Sequence, residues 1–492
     1  MKPVLMLQGT YGYFGLTAAM FRRCAEFKKF GINTISISLD FMPNLYDIKK
    51  IFTDQGKIEE SSLLINPFLE LSECANEWAL SRNTSEIKQS LFLLSTSKEN
   101  NYYFSDGNLF NEKYIDVLNQ IKVPKQKYND VTVHEDIFLN GTKIQERFYA
   151  KNGLCLAIKD INPLTGKQKR FLVFDYLKGL IKEHKNNYEY SVFWLDEKLK
   201  KYNDNNIEPI IICDGPYTAK KLADIESRAK KIYVIHHNHK NDQGEIEVRD
   251  QWNLENASTF DAIVVLTPQQ LTDLQKDFSK LDNLYNISNF TKVKPISIRT
   301  GNKKNKLIFV GQLFDKKGLP DAIRVVSILR NQYKVDVYLD VFGSHVKDTK
   351  KAINHYQSIA TKENVEDYVF FKGYSADILK EMSESVCLVF PSQSEAQPLT
   401  ILEAMSLGTP VVSYDCKYGP RAMIDDGLNG AIVPLGACDE MAARIYKLLS
   451  QPSLREQWSI NAIEKAKTMT SSDLIFEKWN NLFLKLEEKE SV

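Results

Sequence analysis

The sequence predicts an α/β protein with two doubly wound parallel sheets and an antiparallel β-rich segment inserted into the first. Three observations carry this reading. Short apolar, β-branched runs alternate with helical patterns in two separate series, as parallel sheets require. The chain opens as strand, glycine-rich loop, helix and strand. Between about 100 and 174 the rhythm changes to short alternating strands, with the hairpin signals Asp106-Gly107, Asn140-Gly141 and Asn152-Gly153.

In chain order, Val4 to Leu7 predicts the first strand, and Gly9 to Gly15 the loop after it. Leu16, Met20, Cys24 and Phe27 give the next helix an apolar face, and Gly31 ends it. Gly15, at the start of that helix, lets a phosphate approach the backbone closely. Thr34 to Leu39 is the second strand. Helical segments near 45–95 and 175–203 join the inserted strands, which include Glu146 to Tyr149 and Leu154 to Ile158. The α/β rhythm resumes at Ile210 to Cys213, Ile232 to Ile235 and Ala262 to Leu266. A polar, basic stretch near 291–306 precedes the second series: Leu307 to Val310, Val335 to Val341, Val369 to Phe371, Val386 to Phe390 and Val411 to Tyr414. Open α/β sheets place ligands beyond the carboxyl ends of their strands, so a cleft between two such sheets is the expected binding place. Ser472 to Glu487 predicts a final amphipathic helix.

Glu395 and Glu403 are the most informative residues of the chain. The buried run Val386 to Phe390 ends at Pro391, which puts Glu395 in a loop at a strand's C-terminal edge. Pro398 suits the first helical position and Gly408 closes the helix, so Glu403 sits on it among Ile401, Leu402, Ala404 and Met405. The free amides of Leu399 and Thr400 make the helix start an anion site, and the carboxylates beside it accept hydrogen bonds from hydroxyls. Phosphate held by amides and polyol held by carboxylates is what a nucleotide-sugar requires. The alternative is a helix with one solvated glutamate and a second glutamate in a loop.

Among 492 residues, 64 Lys plus Arg nearly balance 63 Asp plus Glu, for a net charge of +1 that favours no nucleic-acid partner. Basic clusters at Lys122 to Lys127, Lys167 to Arg170 and Lys303 to Lys306 read first as solvated surface. Seven cysteines without metal spacing read as reduced thiols of a cytoplasmic protein. The N-terminus enters a strand at once, and no apolar run has the length of a membrane span, so membrane contact is expected to be peripheral.

These residues together resemble the retaining GT-B glycosyltransferases of family four, and within them the bacterial wall teichoic acid α-glycosyltransferases that carry a β-sheet insertion. The resemblance rests on the paired glutamates, Phe309-Val310-Gly311 through Lys317-Gly318, Phe371-Lys372-Gly373-Tyr374, the run Tyr414 to Pro420, and Asp425 to Gly430. The subgroup rests on the insertion, Lys417-Tyr418-Gly419-Pro420 and Ile235-His236-His237-Asn238-His239.

The resemblance implies a division into domains. Residues 1–70 and 205–300 would form the acceptor-side Rossmann-like domain, and 71–204 a β-rich insertion for acceptor binding or oligomerisation. Residues 301–471 would form the nucleotide-sugar domain, and 472–492 a helix crossing back to the N-terminal domain.

It also implies roles. Glu403 would bind ribose hydroxyls, Glu395 a donor-sugar hydroxyl, and Lys317 the diphosphate, with Gly15 against it; Gln312, Gln397, Leu399 and Thr400 complete the nucleotide site. Gly373 and Tyr374 would border the uracil, and one of His236 and His239 would touch the sugar. The donor would be UDP-glucose or UDP-N-acetylglucosamine, used without a metal, and the acceptor a poly(glycerol or ribitol phosphate) polymer. A homo-oligomer at the inner face of the cell membrane is the implied setting. Gln312 departs from the family, which places Arg there; Lys316 and Arg299 are candidates to supply the missing charge. Ala396-Gln397-Pro398 also replaces the usual Gly-Phe-Gly. The rival expectations are glycosylation of Ser/Thr-rich surface proteins, and a non-catalytic subunit that binds acceptor.

Overall fold

Strands buried on both faces need helices on each side of the sheet, and this pattern recurs through the chain. The computed structural model describes residues 2–9, 15–42, 49–50, 53–54, 58, 62–80, 101–103, 121–122, 125–128, 131–139, 141–178, 180–241, 243–291, 293, 295–296, 305–345, 348–375 and 377–488. They divide into two units, Met1–Gly12 with Ile32–Lys231, and Tyr13–Gly31 with Ile232–Val492.

The first unit holds β1 (Val4–Gln8), β2 (Thr34–Ser38), β3 (Leu63–Ile65) and, after an antiparallel insertion, β12 (Ile210–Cys213). These four run parallel in the order β12-β1-β2-β3, with Val4 between Ile210 and Thr34. The insertion comprises β4 (Asn101–Tyr103), β5 (Ile121–Lys122), β6 (Lys125–Tyr128), β7 (Val131–Leu139), β8 (Thr142–Tyr149), β9 (Cys155–Ile161), β10 (Gln168–Asp175) and β11 (Leu180–His184). Its order is β4-β11-β10-β9-β8-β7-β5, with β6 beside β7. Gly141 (φ 79°) and Gly153 (φ 85°) make the two turns that join β7 to β8 and β8 to β9, a conformation that favours glycine. The third signal, Asp106-Gly107, lies outside the described residues.

The Pro67–Leu80 helix packs against β9 and β10, and Ala75 joins Leu154, Leu156 and Phe174 in the buried core there. Two expectations need correction in this region. The helical segment expected near 175–203 begins with strand β11, and only Asn187–Asn203 is helical, capped by the Asn186 side chain on the Glu189 amide. Arg170, read as part of a solvated basic face, is bound to Asp160 at 2.5 Å and Glu183 at 3.5 Å. Lys167 and Lys169 are exposed. The side chains of Lys122, Lys125 and Lys127, and the whole of Lys303 and Lys304, lie outside the described residues.

The second unit has three parallel strands in the order β15-β14-β13: β13 (Lys230–Ile235), counted from Ile232, β14 (Ala262–Val265) and β15 (Leu284–Asn286). A six-stranded parallel sheet follows, of β16 (Lys306–Val310), β17 (Tyr338–Phe342), β18 (Val369–Gly373), β19 (Cys387–Phe390), β20 (Val411–Tyr414) and β21 (Gly430–Val433), ordered β18-β17-β16-β19-β20-β21. Apolar clusters fill both faces of this sheet, one around Val325, Leu339 and Met441, the other around Ile308, Leu388 and Met405.

The Gly15–Lys29 helix belongs to this unit. Phe27 meets Phe290, Phe476, Trp479 and Phe483 edge-on, so the first helix packs on the last one, Ser472–Glu488. Edge-to-face aromatic pairs of this kind add to the area they bury.

Candidate functional site

Strand β19 is wholly buried and ends at Pro391, so the chain after it emerges at the carboxyl edge of the six-stranded sheet. The helix that follows runs Leu399–Ser406. Pro398 caps it rather than taking its first turn, which puts the helix start one residue later than expected. Helix geometry leaves the amides of Leu399 and Thr400 without intrahelical acceptors. Gly408, at φ 65°, ends the helix as predicted.

Ile401, Leu402, Ala404 and Met405 are buried in the core, and Glu403 is the charged group among them, 13% exposed. Its Oε1 accepts a 2.7 Å hydrogen bond from Nη2 of Arg22, on the Gly15–Lys29 helix. Burial of a carboxylate on so apolar a helix needs such a partner. Nothing in the sequence pattern marked Arg22, because the two residues lie 381 positions apart.

Glu395 sits in the loop between β19 and the helix. Its Oε1 accepts from Lys317 Nζ at 2.5 Å and from Ser392 Oγ at 2.8 Å. Lys317 closes a short 3-10 turn, Asp315–Lys317, which follows β16, and Gly318 makes this meeting possible. Gly318 has φ 76°, and a Cβ there would stand 1.9 Å from the Pro391 carbonyl oxygen. Only a glycine lets the two loops come so close. The two groups that were expected to bind different parts of one ligand therefore also bind each other.

The run Lys417 to Pro420 supports this loop. The Glu395 amide donates to the Lys417 carbonyl at 3.0 Å, and the Tyr418 amide to the Glu395 carbonyl at 2.6 Å. Gly419 packs on Pro398, whose Cδ a Cβ at that position would meet at 2.1 Å. Gln397 is buried and accepts the Asn289 amide at 2.7 Å through its side-chain oxygen, so it braces the loop.

The histidine run divides three ways. His239 is fully buried, with its ring stacked on Tyr418 at 5.6 Å between centroids and its Nε2 3.6 Å from Asp277. Burial lowers its pKa below the usual 6.5, with Asp277 partly opposing. His237 bonds through Nε2 to buried Asp250, which also accepts from Tyr233 at 2.7 Å, an anchor that sequence reading missed. His236 is half-buried, with Nε2 3.5 Å from Arg23 Nη2. Of the two histidines expected near the sugar, His236 alone presents surface in this structure.

Tyr374, 69% exposed, follows β18 directly, and Gln312 is half-buried after β16. Gly15 is the first residue of its helix, while the loop residues 10–14 and Arg299 lie outside the described residues. Among the described residues no group of three or more His, Cys, Asp or Glu side chains is placed to hold a metal ion. Nor is any described helix long and apolar enough to cross a membrane.

One helix start, one cation and two carboxylates thus gather at the carboxyl edge of a parallel sheet. Residues 292–465, which carry all of them, match the family of glycosyl transferases group 1. This part of the chain is a glycosyl transferase group 1 domain. Along 95% of its length this glycosyltransferase is 28% identical to a poly(ribitol-phosphate) α-N-acetylglucosaminyltransferase of Staphylococcus aureus, covering 96% of that protein. It is 25% identical to a Bacillus subtilis poly(glycerol-phosphate) α-glucosyltransferase, over 77% of this chain and 56% of that one.

Its fold is GT-B. A crystal structure of a mutant of TarM from Staphylococcus aureus, in complex with fondaparinux, α-GlcNAc-glycerol and UDP, superposes with a TM-score of 0.77 at 25% identity, covering 98% of this chain and all of that one. The pneumococcal O-GlcNAc transferase GtfA, in complex with UDP and GlcNAc, shares the fold with a TM-score of 0.69 at 16% identity, over 99% of each chain.

Proposed function

We propose that this glycosyltransferase moves glucose or N-acetylglucosamine from a UDP-sugar to hydroxyls of a poly(polyol-phosphate) of the wall teichoic acid type, with retention at the anomeric carbon. The observation that carries this reading is the juxtaposition of Lys317, Glu395 and the start of the Leu399–Ser406 helix. Support for the acceptor class comes from the two teichoic acid glycosyltransferases that the chain resembles along most of its length.

In this reading the diphosphate lies against the amides of Leu399 and Thr400, with Lys317 as its cation and Gln312 as an uncharged donor beside it. Glu395 Oε2, without a partner among the described residues, accepts from a donor-sugar hydroxyl. Glu403 accepts from the ribose, Tyr374 borders the base, and His236 faces the sugar. The bond from C1 to the phosphate oxygen breaks and UDP leaves with the electron pair. The acceptor oxygen bonds to C1 on the same face and gives its proton to the departing phosphate oxygen. Fixed positive charge at the developing anion supplies the main rate term, so no step is assigned to a metal. The antiparallel insertion takes the acceptor or a second copy of the chain, and membrane contact is peripheral.

The test is incubation of purified protein with UDP-glucose or UDP-N-acetylglucosamine and each of poly(ribitol phosphate), poly(glycerol phosphate) and a Ser/Thr-rich peptide, with and without chelator. Transfer to a polymer, unaffected by chelator, is the expected result. Transfer to the peptide alone, or to none of the three, overturns the reading.

A further inference from the structure

The pair formed by Arg22 and Glu403 is only half used by the protein. Arg22 is 15% and Glu403 13% exposed, and a carboxylate and a guanidinium buried together ordinarily close as a fork, two nitrogens on two oxygens. Here one bond forms, Nη2 to Oε1 at 2.7 Å. Among the described residues the remaining nitrogens Nε and Nη1, both buried, have no hydrogen-bond partner. Among the described residues Oε2 of Glu403 has none either. Buried guanidinium donors left unmade are costly, so a site that keeps them is arranged for an acceptor that comes from outside.

The unfilled groups are of both kinds, donors on Arg22 and an acceptor on Glu403. A hydroxyl is the complementary group, since its hydrogen donates and its oxygen accepts. Two hydroxyls on neighbouring carbons satisfy the pair better than a phosphate, which Oε2 would repel, or an ammonium, which Nε and Nη1 would repel.

We propose that Arg22 and Glu403 act as one diol-recognising element for the nucleotide ribose. Arg22 holds Oε1 so that Oε2 faces the diol, and its free nitrogens donate to the hydroxyl oxygens. This rests on the ribose role given to Glu403 above and adds a residue from the first helix of the chain to the site. Arg22 is both a positioning residue and a direct contact, and its effect is confined to nucleotides that carry the diol.

Titration calorimetry with UDP and 2′,3′-dideoxyuridine diphosphate tests it on wild type, Arg22→Met, Arg22→Lys and Glu403→Gln, each checked for a folded thermal transition. Wild type is expected to prefer UDP. Arg22→Met should weaken UDP binding on the order of tenfold, the scale of one hydrogen bond to a charged group, and leave the dideoxy nucleotide within about twofold. Arg22→Lys keeps the charge but not the fork, so an intermediate preference is expected from it even if the methionine variant fails to fold. Equal loss of both nucleotides, or an unchanged preference in the Arg22 variants, overturns the proposal. An unchanged preference in Glu403→Gln instead overturns the ribose role of Glu403. A preference lost in Glu403→Gln but kept in Arg22→Met leaves that role standing and removes Arg22 alone.

Discussion

Lys317 Nζ lies 2.5 Å from Glu395 Oε1, which joins the turn after β16 to the loop after β19 across 78 residues of sequence. The pair holds the cation at the helix start, where the proposed diphosphate would sit. We predict that Lys317→Ala lowers turnover on the order of a hundredfold, or about 3 kcal/mol of transition-state stabilisation. Adding Gln312→Arg should restore part of the loss. Near-wild-type turnover of Lys317→Ala under saturating donor would assign the diphosphate to another cation, such as Lys316.

Gly318 is predicted to be intolerant of any side chain. Its φ of 76° alone costs a residue with a Cβ about 1–3 kcal/mol, and the new atom would stand 1.9 Å from the Pro391 carbonyl. Gly318→Ala should lower the thermal midpoint and, by parting the two loops, weaken donor binding. A variant with an unchanged midpoint would mean that the approach of the loops is not enforced there.

The pH dependence of stability should carry the mark of His239. Its pKa is below the usual 6.5 in the fold, chiefly because it is buried, against Tyr418, Gln270, Lys240 and Asp277. The unfolded chain therefore binds the proton more readily. This contribution is complete above about pH 6.5 and is lost as pH falls through the folded value, at up to about 1.4 kcal/mol per pH unit for one group. His184 in the first unit is also depressed by burial and adds to the same fall. His239→Gln should flatten part of the decline in thermal midpoint between pH 7 and pH 5; an unaltered profile would contradict the assignment.

The basic segment of the insertion should split by substitution. Lys167→Ala with Lys169→Ala is predicted to raise the apparent KM for polymer, more strongly at low salt, while UDP-sugar hydrolysis without acceptor is spared. Arg170→Ala should instead cost stability, about 1.5–3 kcal/mol for lost bonds between charged groups, because Arg170 is committed to Asp160 and Glu183. Polymer kinetics unaffected by both lysines would remove the acceptor role from this face.

What the sequence by itself determined was local. Strands β12, β16, β19 and β20 were legible within one residue because a short apolar, β-branched run has few alternatives, and Gly408, Gly141 and Gly153 marked stops and turns because their backbone conformations favour glycine. Family motifs singled out Lys317, Glu395 and Glu403, and of these the structure brings Lys317 and Glu395 into contact. Strands β3 and β15 escaped because three residues give too little periodicity, β21 because it begins Gly430-Ala431 without a β-branched apolar run, and β11 because its polar Lys182 and Glu183 blur the alternation. Tertiary structure alone decided which charges meet. Arg22 reaches Glu403 and Tyr418 covers His239 because whole helices and loops pack there, 381 and 179 residues apart, and no local pattern encodes a contact at that separation. The same packing turned Arg170 inward to its carboxylates, since a cation's partners are set by neighbouring strands rather than by neighbours in sequence.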